Sequence, residues 1–267
     1  MAFIYIPPAV FIFLVRFLFR IAHGEGTFIK NVFKAALAPL DSAPLFVRSD
    51  GVEVRGLSPD RLIMSILTIS SVVFEEYQLS EEVSVVVDKD ELMSALKRLT
   101  RRDRVIMLYE DGARDLRISI VNLKTGTERE FTAQIREVGV QPVGDIQLDL
   151  EVEVQMGGEV FTTIVKDAAV VGDEIEFRVA GNTMRFIARG EDKEYHSILT
   201  QDKGLLSLSS KLENASSRYS IDLVKQAAKT IDPDSVVILQ YGPNKPLKLS
   251  ISIGGGASLT YWITPRT

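Results

Sequence analysis

Displaced against itself by 132 residues, this chain meets its own pattern again, which restricts it to folds built twice from one unit. Lys34 and Ala36 fall on Lys166 and Ala168, and Ser65-Ile66-Leu67-Thr68 falls on the identical Ser197-Ile198-Leu199-Thr200. The turn pair Asp50-Gly51 lies over Asn182-Thr183. Further on a displacement of 131 takes over. Asp103-Arg104-Val105-Ile106-Met107-Leu108 then matches Asp234-Ser235-Val236-Val237-Ile238-Leu239, Leu116 to Ile120 matches Leu247 to Ile251, and Phe131-Thr132 lies over Trp262-Ile263. Strands share a period of two, so single pairs match by chance; the preserved order of the whole set argues for duplication. The period is too long for a solenoid repeat and reads as two similar domains.

Each copy has the same coarse plan. After a first strand at Arg16 to Ala22 comes a helix over Thr27 to Leu37, where Phe28, Val32, Phe33 and Ala36 make one apolar face. Its counterpart is Glu159 to Val170. Three strands are expected next, split by turns such as Asp50-Gly51 and Gly181-Asn182. A second helix follows over Lys89 to Leu99 and again over Ile221 to Ile231, with Asp88 and Ser220 as N-caps. Val105 to Tyr109 and Val236 to Tyr241 read as strands, with two more after each. Between the copies, Gly139, Pro142 and Gly144 break the periodicity, so residues 136–147 read as a connecting loop between domains at 15–135 and 148–267.

Composition sets the chemistry. Of 267 residues, 46% are hydrophobic and 25% charged, enough for packed cores. The formal net charge is −5, so any nucleic-acid contact must come from local clustering of cations. The absence of cysteine excludes disulfides, thiolate catalysis and cysteine metal sites, and fits a cytoplasmic setting. The apolar run from Ala2 to Val15 is interrupted by Pro7-Pro8 and falls short of the about 20 residues of a spanning helix. Residues 1–14 therefore read as an N-terminal extension, with no membrane role. His23 and His196 are the only histidines, and neither has metal-ligand spacing. Glu75-Glu76 and Glu81-Glu82 read as solvated loops, and Gly254-Gly255-Gly256 as a hairpin turn, since no helix follows it to make a phosphate loop. No enzyme, cofactor or metal is expected.

Several segments resemble the proliferating cell nuclear antigen family, in an archaeal form. Phe161 to Asp173 resembles the helix that opens the family's second domain and ends in a Gly-Asp turn. Leu57-Ser58-Pro59-Asp60-Arg61-Leu62-Ile63-Met64 is similar to the segment after its third strand. Asn244-Lys245-Pro246-Leu247 and the closing Tyr261-Trp262-Ile263-Thr264-Pro265-Arg266 resemble a Pro-Leu strand start and an aromatic terminus ending in a proline and a basic residue. The resemblance spans about residues 16–267, with Thr264 where the family has a smaller residue. It implies an α+β, duplicated DNA-clamp fold. Each of two similar domains has two helices packed on antiparallel sheets, and subunits assemble into a trimeric ring, alone or with sibling chains. The implied function is a sliding clamp. It encircles duplex DNA without reading sequence, and tethers polymerase, clamp loader, flap endonuclease and ligase through short peptides.

Three sets of residues follow. All four expected helices carry cations despite the acidic total: Lys30, Lys34, Lys97, Arg98, Lys166, Lys225 and Lys229, with Arg101, Arg102 and Arg104 nearby. In the family these helices line the central hole, where a positive lining attracts phosphates. The resemblance next implies a pocket for a peptide bearing a glutamine, an aliphatic residue and paired aromatics, formed by Leu57, Leu62, Met64, Val140, Pro142, Val143, Pro246, Trp262 and Pro265. Finally, Glu130 and Thr132 of one strand and Lys193, Tyr195 and Ser197 of another would lie on edges that join subunits. The alternative is a two-domain β-rich scaffold that binds proteins without encircling DNA.

Overall fold

A computed structural model describes residues 16–229, 231–254 and 256–266, so the expected N-terminal extension lies outside the described residues. The first copy contains β1 (Phe17–His23), α1 (Gly26–Leu37), β2 (Ala43–Arg48), β3 (Gly51–Leu57), β4 (Ile63–Ser70), β5 (Glu76–Leu79), β6 (Val83–Val87), α2 (Lys89–Leu96), β7 (Asp103–Glu110), β8 (Asp115–Asn122) and β9 (Glu128–Val138). The second repeats the order with β10 (Val152–Gly157), α3 (Gly158–Ala168), β11 (Glu174–Ala180), β12 (Thr183–Arg189), β13 (Glu194–Leu199), β14 (Leu205–Ser210), β15 (Asn214–Ser220), α4 (Ile221–Ala228), β16 (Val236–Tyr241), β17 (Leu247–Ile253) and β18 (Ala257–Ile263).

Five strands, not three, separate the helices of each copy; β5 and β14 lack strict apolar alternation and so escape a pattern search. The second and fourth helices end earlier than their periodicity suggests, at Leu96 and Ala228. Asp88 caps α2 by accepting from the Glu91 N–H at 2.9 Å, whereas the Ser220 side chain makes no cap bond. The duplication extends to close approaches. A Cβ on Gly26 would sit 2.9 Å from the Asp103 carbonyl oxygen, and one on Gly158 would sit 2.2 Å from that of Asp232. Each first helix thus starts against the loop that follows its partner helix, and only glycine fits there.

Two hairpins differ in length between the copies. Leu45, Val54 and Leu67 form one rung across β2, β3 and β4, and Phe177, Phe186 and Ser197 form the matching rung across β11, β12 and β13. Leu67 therefore corresponds to Ser197, so the identical Ser-Ile-Leu-Thr stretches are offset by two positions on equivalent strands. Likewise Ile118 faces Phe131, while its counterpart Leu249 faces Tyr261. Phe131 thus corresponds to Tyr261, and Thr132 to Trp262, one position from where sequence matching puts them.

Fourteen strands form one sheet, in which β4 of the first copy pairs with β18 of the second from Ile63↔Ile263 to Ile69↔Ala257. The remaining sheet runs β13-β12-β11-β15. One face is apolar: Leu67, Leu259, Tyr261, Leu249, Leu239 and Val154 are all fully buried on it. The helices cover that face. Tyr261 Oη donates to the Ala35 carbonyl of α1 at 2.8 Å, and α4 packs on the same strand. Gln226 Nε2 of α4 reaches the Ala38 carbonyl at 3.2 Å, joining the two helix pairs. In the second copy Phe177 meets Phe186, Tyr219 and Tyr241 edge-on at 4.9, 5.2 and 5.9 Å, and burial raises both tyrosine pKa values.

Candidate functional sites

The helix layer presents its cations outward. Lys34, Lys97, Lys166 and Lys229 are exposed, Lys225 is half-buried, and none has a side-chain partner among the described residues. These lysines stand in or beside the last turn of their helices, where a cation also complements the helix dipole. Lys30 is engaged differently: its Nζ donates to the Leu99 carbonyl at 2.6 Å and ties α1 to the end of α2. Arg98 departs from the set. Its guanidinium lies 5.5 Å from the Phe131 ring centroid on β9, directed at a sheet edge. Arg104 is also withdrawn, bonding Glu75 at 2.9 Å and Glu76 at 2.6 Å. Glu76 in turn takes Arg20 at 3.0 Å, so the expected solvated loop is instead an arginine-bound pair, Glu76 at the start of β5 and Glu75 in the bend before it. The Arg104 and Arg20 guanidiniums hold the Glu76 carboxyl below the usual range.

The opposite sheet face carries the second site. Leu57, Met64, Trp262 and Lys248 are successive partners across β3, β4, β18 and β17. Met64 and Trp262 are buried on this outer face, and the Lys248 ammonium sits 5.6 Å from the Trp262 ring centroid. Leu62 is exposed, its carbonyl accepting from the Thr264 N–H at 3.0 Å. Pro246 precedes β17 and is partly buried, while Pro265 bridges to Tyr219. Beside this row, Leu57, Val140 and Val143 border a cavity of about 280 Å³ together with Pro44, Phe46 and Arg55. Pro142 is partly buried in the same segment. The segment expected as the connecting loop enters from β9, which runs to Val138, and regular structure resumes at β10. From Val140 to Leu150 no backbone N–H donates a hydrogen bond among the described residues. That leaves a run of backbone groups free to pair with an added strand. Sequence reasoning missed Arg55, although its i, i+2 spacing from Glu53 and Leu57 places all three on the outer face.

Among the open sheet edges, two carry residues singled out from the sequence: β13, which ends the smaller sheet, and β9 over Glu128–Ala133, before it meets β6. In β13, the Gly190 N–H donates to the Lys193 carbonyl at 2.9 Å, so Lys193, Tyr195 and Ser197 turn their backbone groups toward β12. By alternation Glu194, His196 and Ile198 turn theirs outward. The edge groups thus belong to the residues between those singled out from the sequence, a distinction of hydrogen-bond parity that alternation of side chains alone does not resolve. In β9, the Gln134 N–H is taken by Glu91 Oε2 at 2.7 Å and its carbonyl by the Asp88 N–H at 2.8 Å, on the side away from β8. Glu128, Glu130 and Thr132 therefore face outward too. A groove of about 440 Å³ flanks this edge, with Ser94, Ala95 and Phe131 in its wall. Ile198 is 54% exposed beside the other edge. His196 Nε2 lies 3.1 Å from Glu194, which, with Arg189, lowers the Glu194 pKa.

No helix among the described residues is long and apolar enough to cross a membrane, and no cluster of three or more metal-ligating side chains occurs among them. A family model for the proliferating cell nuclear antigen, N-terminal domain, matches residues 18–142. A DNA polymerase sliding clamp from Pyrococcus horikoshii is 29% identical over 249 residues, covering 93% of this chain and 98% of its own. Among solved structures, the proliferating cell nuclear antigen from Thermococcus kodakaraensis superposes with a TM-score of 0.85 at 22% identity, covering 93% of this chain and all of its own. The A. fulgidus antigen, solved with the C-terminal region of FEN-1 bound, superposes with a TM-score of 0.79 at 23% identity, covering 93% of this chain and 98% of its own.

Proposed function

Because the chain belongs to the proliferating cell nuclear antigen family, we propose that it is a subunit of a DNA sliding clamp: a trimeric ring that encircles duplex DNA and holds replication and repair proteins on it. The observation that carries this reading is the match between the seam inside the chain and two of its open edges. Within the chain β4 pairs with β18; the equivalents of those strands in the opposite copies are β13, unpaired on the corresponding side, and β9, unpaired there over Glu128–Ala133 before its end meets β6. Carrying the internal register across gives Glu130 opposite His196, Thr132 opposite Glu194 and Glu128 opposite Ile198. Those are the six residues whose backbone groups face outward. A head-to-tail contact of this kind closes into a ring when its rotation divides a full turn. Three chains with two units each make a ring of six units, with the helices on its inner wall.

On that wall Lys34, Lys97, Lys166, Lys225 and Lys229, and Lys30 in part, face the duplex and neutralise phosphates without touching base edges. The row Leu57–Met64–Trp262 and the loop segment Val140 to Val143 form the docking groove for client peptides, whose strand pairs with the free loop backbone. The FEN-1 segment held by the A. fulgidus neighbour is a peptide of the kind this groove would take. Tethering needs no catalytic group, and the assigned residues act by position and charge.

The absence of cysteine makes a clean test of the seam. Opposed residues that exchange backbone bonds sit about 5.5 Å apart at Cα, within disulfide reach. The double variant Glu130→Cys, His196→Cys should crosslink between chains on oxidation, up to a covalent trimer. A chain that stays monomeric, alone and with sibling clamp subunits from the same source, overturns the ring.

A further inference from the structure

The connecting loop has one mid-span tether, and it is ionic. Arg55 projects from β3 on the outer face, and its Nη1 donates to the Val143 carbonyl at 3.0 Å and to Asp145 Oδ1 at 2.5 Å. Glu53, two residues along the same strand, holds the other side of the guanidinium, its Oε2 accepting from Nη2 at 3.2 Å, with Nε and Oε1 in ionic contact at 3.0 Å. The Arg55 side chain is only 13% exposed and that of Glu53 only 14%, whereas Asp145 is 70% exposed. The anchor is thus built into the sheet and its partner is offered by the loop. At its ends the loop is held separately, by the Gly139 N–H on the Ser84 carbonyl and by Lys211 and Lys245 on Asp149. Between those ends Arg55 makes the only hydrogen bonds to the loop among the described residues. It grips the loop at and just past Val143, which lines the same cavity as Leu57.

We infer that Arg55 is the positioning residue of the docking groove, clasping Val143 and Asp145 so that the loop wall stands at a fixed spacing from Leu57. This rests on the docking reading above, and deepens it by naming what holds the loop ready. The guanidinium suits the task because its planar fork can bind a carbonyl, a loop carboxylate and a strand carboxylate at once; a lysine ammonium offers no such geometry. A loop held in place before the peptide arrives loses less conformational freedom on binding, so the clasp acts on affinity without touching the peptide.

The test uses the full chain in two arms. In the first, the rate of limited proteolysis by thermolysin within residues 139–148 is followed without ligand in the wild type, Arg55→Met, Arg55→Lys and Asp145→Asn. Cleavage should quicken several-fold in Arg55→Met, confined to the loop, less in Asp145→Asn, and the Arg55→Met/Asp145→Asn double variant should be no faster than Arg55→Met. Asp145→Asn leaves the sheet intact, and so separates loop release from any damage to β3. In the second arm a synthetic peptide with a glutamine, an aliphatic residue and two adjacent aromatics is titrated against each. Arg55→Met should weaken it about five- to twenty-fold, with Arg55→Lys between it and the wild type. Loop cleavage unchanged in Arg55→Met, or additive effects in the double variant, overturns the clasp. Faster cleavage with unchanged peptide affinity overturns its positioning role. A wild type that does not bind the peptide at all overturns the docking reading, and the positioning role with it, while the proteolysis arm still decides whether the clasp exists.

Discussion

Proline placed at His196 should dismantle the ring and spare the subunit, while proline one residue earlier, at Tyr195, should do the reverse. The His196 N–H points away from β12, so in a lone subunit it meets only water, and proline is tolerated on such an edge. In the assembled seam that N–H would donate to Glu130. Removing it forfeits a bond worth about 0.5–1.5 kcal/mol net and leaves a carbonyl unsatisfied at about 1–3 kcal/mol. The sum, about 2–4 kcal/mol for each seam, corresponds to roughly 30- to 1,000-fold weaker pairing. The Tyr195 N–H instead points at β12, opposite Ala188, so the same loss of about 2–4 kcal/mol falls on folding. Light scattering behind a sizing column, at fixed protein concentration and with sibling subunits where the ring is mixed, reports assembly; thermal melts report folding. His196→Pro should elute as a subunit with a near-wild-type melt, and Tyr195→Pro should melt early. If His196→Pro assembles like the wild type, or if the two variants behave alike, the outward parity of this strand and the register built on it are wrong.

Replacement of Lys34, Lys166 and Lys229 by Gln should weaken clamp-dependent polymerase stimulation at a stability cost of no more than about 0.3–1 kcal/mol each, the loss of a cation from a helix C-terminus, and the salt slope of DNA binding should fall by about one unit for each phosphate that is no longer neutralised. Lys30→Glu should also destabilise, by about 1–2 kcal/mol in urea melts, because it breaks the bond to the Leu99 carbonyl. Client peptide should shift the emission of Trp262, the only tryptophan; Trp262→Ala should cost about 3–5 kcal/mol of stability as well as affinity, since the indole is 7% exposed and leaves a cavity. The Arg136 guanidinium and the Glu91 N–H hold the Asp88 carboxyl below its usual range. A depressed folded pKa gives stability that is present above the unfolded value of about 3.9 and is lost as pH falls through the folded value. Asp88→Ala should therefore cost about 1 kcal/mol in urea melts near pH 7, and its difference from the wild type should shrink toward pH 3.

Much of this architecture was legible in the order of residues. The displacement that superposes Lys34 on Lys166 marks the duplication, and the apolar face of Phe28, Val32, Phe33 and Ala36 marks a helix, because periodicities of two and 3.6 are local consequences of backbone geometry. The seven charged helix positions could be listed from spacing alone, and the Asp88 cap from residue type. Where patterns were weak, as in β5 and β14, strands went unseen, since partners across the sheet and not their own side chains hold them in place.

What only tertiary structure decided was register and direction. Two residues fewer in the β12–β13 hairpin slide identical tetrapeptides onto different rungs, and a sequence match cannot sense hydrogen-bond parity. Arg98 reads as one more helix cation until its guanidinium is found over Phe131, from a strand some thirty residues away. Nothing in the local pattern singles out Arg55 between Glu53 and Leu57, yet two of its partners come from a loop about ninety residues downstream. Local sequence determines which faces are apolar and which are charged, because those depend on neighbours along the chain. Which edge stays open and which charge holds a loop depend on distant segments meeting in space, and that meeting is set by the whole fold.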